Sequence, residues 1–144
     1  MRPITVFRGF AFAGVMIAGA TMVMTWGDGE IKGPPAQWER QVVGALLLSA
    51  IALVALWSMG PAGTRRSKIA RSLAVVCSAG AVALALVMWQ DARTNDFVGL
   101  LAGYGWPWFL AGNGLCLGAS VGSLSIRPEE VSRKIPARKR ARGR

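Results

Sequence analysis

The side chains that usually carry chemistry are scarce in this chain and poorly placed for it. There is no histidine, which removes His-ligated haem, His-based zinc sites and His general bases. A haem-bearing four-helix cytochrome subunit is excluded on the same ground. The two cysteines, Cys77 and Cys116, each sit inside an apolar stretch rather than in a loop. They read as small buried hydrophobes, and a disulfide would need their helices to touch at that depth. A thiol oxidase needs paired, accessible cysteines, and these do not form such a pair. Asp28, Glu30, Glu39, Asp91 and Asp96 all fall at or beyond the edges of the apolar stretches. No ionisable group is therefore embedded where a proton or ion relay would need one. Asp28-Gly29-Glu30 lacks the ligand count of a calcium loop. Phosphate-binding glycine motifs followed by Lys and Ser are absent. The expectation is a non-enzyme with no catalytic residue, no metal and no cofactor.

Three features could instead serve recognition. Gly114, Gly118 and Gly122 recur every four residues, and small residues let helices approach closely in lipid. They are read as a helix-packing stripe, either within the chain or against another membrane subunit. Gly14 with Ala18, and Ala79 and Ala83 with Gly80, give weaker versions. Asn113 is the lone amide deep in an apolar stretch and is expected to bond across helices; lining a ligand cleft is its alternative role. The third feature is the basic tail, with Arg133, Lys134, Arg138, Lys139, Arg140, Arg142 and Arg144. It suits an anionic leaflet, at about 1 kcal/mol per charge, or an acidic protein partner. Nucleic acid is disfavoured, because the tail lacks interleaved aromatics for stacking.

The elements that must position these groups follow from hydropathy. Apolar residues make up 53% of the 144 residues and charged ones 17%, a surplus too large for an ordinary soluble domain of this size. The charges lie in clusters between long uncharged windows, whereas a soluble bundle needs a polar face on most helices. About 20 apolar residues cross a bilayer. On that measure residues 1–126 form an all-α integral membrane domain, a bundle of four transmembrane helices, with spans at about 7–26, 41–60, 69–90 and 106–126. Residues 127–144 form the tail. Gly60-Pro61 ends the second span, and residues 27–40 and 91–96 read as loops. Residues 97–105 read as an interfacial or re-entrant segment before a span that opens at Trp106-Pro107; one long helix kinked at Pro107 is the alternative. Ala18-Gly19-Ala20 also fits a signal-peptide cleavage pattern, but the apolar run continues past it to Trp26 and favours an uncleaved span.

Charge sets the expected orientation. Arg2, Arg8, Arg65, Arg66, Lys68, Arg71 and eight tail residues lie on one side, and Lys32, Arg40 and Arg93 on the other. Short loops rich in Lys and Arg stay cytoplasmic, so both termini are assigned there. Trp26, Trp38, Trp89, Trp106 and Trp108 gather at the opposite ends of the spans, where indoles favour the headgroup level. Arginine outnumbers lysine 13 to 4, a bias read as that of a GC-rich bacterial genome. The resulting expectation is a multi-pass protein of the bacterial plasma (inner) membrane. Its expected role is a non-catalytic accessory or scaffolding subunit of a respiratory, secretion or cell-envelope complex. The alternative is a small transporter or lipid-handling protein with its site beside Asn113. Expected partners are membrane lipids, anionic ones included, and other membrane subunits.

Overall fold

A computed structural model of the chain describes residues 3–26, 36–59, 64–95 and 105–126. These form four α-helices: α1 (Pro3–Trp26), α2 (Ala36–Trp57), α3 (Arg65–Thr94) and α4 (Trp106–Leu124). The described residues contain no strand. The basic tail from residue 127 onward and the segment 97–104 lie outside the described residues, as do Asp28 and Glu30.

Each helix starts where its sequence permits. α2 begins earlier than expected, and residues 36–40 are helical rather than loop. Pro34-Pro35 precede a run of good helix formers, and Glu39 in the first turn meets the positive end of the helix dipole. α3 begins at Arg65 because Thr64 caps it, its hydroxyl accepting from the Ser67 N–H at 3.1 Å. It continues through Asp91 to Thr94, so part of the expected 91–96 turn is helix. Its 30 residues reach about 45 Å, longer than the roughly 30 Å hydrocarbon core of a bilayer. α4 opens at Trp106-Pro107, after Gly105 in the left-handed region (φ 71°), a conformation that glycine adopts without a Cβ penalty. α1 runs unbroken through Ala18-Gly19-Ala20.

Consecutive helices run antiparallel. α1 packs mainly on α4 and α2 on α3, with α3–α4 as the third large interface. The buried face of α2 is Trp38, Val42, Ala45, Ser49, Ala52 and Leu56, a spacing of four and three that keeps one seam toward its neighbour. α3 answers with Ala70, Ala74, Ala81, Ala85, Met88 and Ala92. Ala79 and Ala83, expected at a contact, are exposed instead.

The distribution of size is inverted relative to a water-soluble bundle. Alanines and serines fill the interior, while Val43, Leu47, Ile51, Val54, Ile69, Leu73, Val76 and Val87 point outward. In water such contiguous apolar surface would drive association; in hydrocarbon it costs nothing, and small interior residues allow backbones to approach. α1, α2 and α3 are each long and apolar enough to cross a membrane. The chain is a helical membrane protein. α4 has no charged residue, but its glycines, serines, Asn113 and Pro107 dilute its hydropathy.

Candidate functional site

The tightest contact joins α1 to α4. A Cβ built on Gly14 would lie 2.5 Å from the Gly112 carbonyl oxygen and 3.0 Å from the Cys116 nitrogen. One built on Gly112 would lie 2.6 Å from the Gly14 carbonyl oxygen and 2.8 Å from the Ala18 nitrogen. Backbone meets backbone here, and no side chain is present to yield. Gly14 and Ala18 thus occupy the close approach anticipated for α1. Gly112 completes it, a residue the sequence reading passed over in favour of the Gly114 stripe.

That stripe divides in the structure. Gly114 and Gly118 are exposed, and a Cβ on either would meet no atom of the described residues within 4 Å. Gly122 turns inward against the Phe7 ring. Pro107, Trp108 and Leu124 are exposed toward the ends of α4, and between them Ala111, Gly114, Gly118 and Val121. Their spacing of three, four and three forms a straight seam on the side of α4 that the bundle leaves uncovered.

Asn113 is fully buried. Its side-chain oxygen accepts from the Ser49 hydroxyl at 2.6 Å, and its amide donates to the Phe109 carbonyl at 2.8 Å. It ties α4 to α2 and has no exposed surface, so it lines no cleft. Cys116 is buried nearby with Sγ 3.9 Å from the Ser49 carbonyl oxygen. Both cysteines are free and buried.

Both ends of the bundle are fastened by polar groups. At the basic end, Arg8 of α1 donates to the carbonyls of Leu56 (2.9 Å), Trp57 (3.2 Å) and Met59 (3.4 Å), closing the C-terminus of α2. Arg71 donates to the Ile126 carbonyl at 3.1 Å and does the same for α4. Terminal carbonyls lack helical partners and carry the negative end of the dipole, so a cation supplied by another helix serves them twice. The Nε of Arg71 is buried with no acceptor among the described residues. At the other end, the indole N–H of Trp38 donates to the Asp91 carboxylate at 2.7 Å. Trp89 and Trp106 stack with centroids 4.8 Å apart, and the Trp106 N–H donates to the Ala85 carbonyl at 2.9 Å. These three tryptophans join helices to one another, a role their headgroup-level placement did not reveal. Trp108 remains exposed.

Among the described residues no cluster of three or more Cys, Asp or Glu side chains could hold a metal ion. No protein family matches the chain, and neither a curated protein nor a solved structure does.

Proposed function

We propose that the protein is a non-catalytic accessory or scaffolding subunit of a larger membrane assembly, docked through the uncovered side of α4. The observation that carries this is the open space at Gly114 and Gly118. Helix association in lipid depends on close van der Waals packing through small residues. A bundle that spends Gly14 and Gly112 on its own closure and leaves a second small-residue seam outward is built to receive another helix. Glycine has no packing role where nothing touches it, and its cost in helix propensity is offset when a partner backbone lies against it.

In this reading all four helices span the membrane. Positive residues at the Arg8–Arg71 end support a cytoplasmic location for that end, both termini and the tail. The host membrane is the plasma membrane of a bacterium, and the host is a respiratory, secretion or cell-envelope complex. The tail residues from Arg133 to Arg144 hold anionic lipid or an acidic partner at that surface. The rival role, a transporter or lipid-handling protein working beside Asn113, is disfavoured by the complete burial of that side chain.

Purification from native membranes in mild detergent tests the proposal. The double variant Gly114→Leu/Gly118→Leu should fold and insert but lose co-purifying membrane subunits that the parent chain and Leu47→Ala retain. Equal recovery of the same subunits with the seam filled contradicts it.

A further inference from the structure

Five basic residues of the described helices gather at one end of the bundle, and two have structural employment. Arg8 and Arg71 hold helix C-termini. The side chains of Arg65, Arg66 and Lys68 make no hydrogen bond or ion pair with other described residues. All three stand in the first turn of α3, which contains no acidic residue. A helix N-terminus carries positive partial charge, so cations there are repelled by the dipole they flank. α2 has the usual arrangement, with Glu39 in its first turn. Three unpaired cations on a positive helix end form a charge arrangement completed by an external anion.

The surface beside them is apolar and concave. Arg65 and Arg66 line an open groove of about 420 Å³ between the end of α2 and the start of α3, together with Ala55, Ser58, Ile69, Ala70 and Leu73. Ile69 and Leu73 are also one wall of a shallower trough that runs past Lys68 to Val76. Ile69, Leu73 and Val76 face outward, and in a membrane they lie along the acyl chains. Arg65 and Arg66 at the start of α3 and Ile69 and Leu73 further along it thus follow the order of a lipid's phosphate and its hydrocarbon.

We infer that this groove is a binding site for an anionic phospholipid. Its phosphate sits at Arg65 and Arg66 and one acyl chain lies along Ile69 and Leu73. Arginine suits the headgroup because its planar fork meets phosphate oxygens in pairs, and the α3 N-terminus adds backbone attraction. The inference rests on the membrane reading but not on the docking of α4.

The test is retention of phosphatidylglycerol through detergent purification from phosphatidylcholine bilayers doped with it, read by native mass spectrometry. The parent chain should keep phosphatidylglycerol in preference to phosphatidylcholine. Arg65→Gln/Arg66→Gln should lower that retention roughly 30-fold, about fivefold per charge. Leu73→Asn should lower it as well, Arg40→Gln/Arg93→Gln at the opposite end should not, and glycerol phosphate, which has no acyl chain, should not displace the lipid. Equal retention in the Arg65/Arg66 variant and the parent, or equal retention of the two lipids, overturns the site and leaves a lipid annulus only. Alkaline extraction run beside it separates the two failures. A chain that stays in the membrane pellet with unchanged retention refutes the lipid site alone. A chain that washes out refutes the membrane reading and the site with it.

Discussion

Replacing Gly112 by alanine adds one methyl group at the α1–α4 crossing, and the structure gives the size of the consequence. That methyl would stand 2.6 Å from the Gly14 carbonyl oxygen, 2.8 Å from the Ala18 nitrogen and 3.0 Å from the Ala18 Cβ. Two of these atoms are backbone, so relief requires the helices themselves to part. Ordinary contact lies near 3.5 Å, and the axes must separate by up to about 1 Å over the crossing. Overpacking of this kind costs about 1–3 kcal/mol. Alanine's better helix propensity, at most about 1 kcal/mol, offsets only part of it. Gly114→Ala adds the same methyl two residues away, where nothing lies within 4 Å; it should be neutral or slightly stabilising in the isolated chain. Unfolding in mixed micelles titrated with a denaturing detergent, followed by tryptophan fluorescence, reads both. A Gly112→Ala variant as stable as Gly114→Ala would refute the assigned interface between α1 and α4.

Other substitutions test the remaining joints by the same unfolding assay. Arg8→Gln removes a charged donor from three carbonyls at the end of α2 and should lower stability by about 1–2 kcal/mol, with the loss concentrated in exchange protection of the last turn of α2. Trp38→Phe keeps most of the ring but loses the bond to Asp91, a cost of about 1–2 kcal/mol for a hydrogen bond to a charged acceptor. Asn113→Leu breaks the α2–α4 bond to Ser49, yet interhelical hydrogen bonds in membranes are worth only about 0.6 kcal/mol on average. The variant should remain folded and keep its partners, whereas a cleft-lining role would make it lose function while folded.

How far the sequence could be read depended on whether the signal was local. Apolar windows located all four helices, three of them long and apolar enough to cross a membrane, where the need to satisfy backbone groups leaves long uncharged stretches few alternatives. Helix starts were less legible. Residues 36–40 mix Trp38, Glu39 and Arg40 and look like loop by hydropathy, and the start of α3 turns on a single Thr64 hydroxyl. Pairing between helices was hardly legible at all. Gly14 and Gly112 meet across most of the chain, and nothing in a one-dimensional pattern joins them. The Gly114 stripe divides for a geometric reason. Four residues advance about 40° beyond one full turn of a 3.6-residue helix, so Gly122 has rotated off the face of Gly114 and reaches Phe7. The seam that stays outward steps by three and four, through Ala111, Gly114, Gly118 and Val121. Three of the tryptophan indoles are joints between helices, which only tertiary contacts disclose.

The account turns on the outward seam of α4 being covered by another membrane helix. Site-specific photocrosslinking in intact membranes addresses it most directly, with a photoreactive residue at position 118 and, as comparison, at position 47 on the lipid-facing side of α2. The account predicts a discrete protein adduct from position 118 and lipid adducts alone from position 47. Lipid adducts alone from both positions, or the same protein adduct from both, would contradict it.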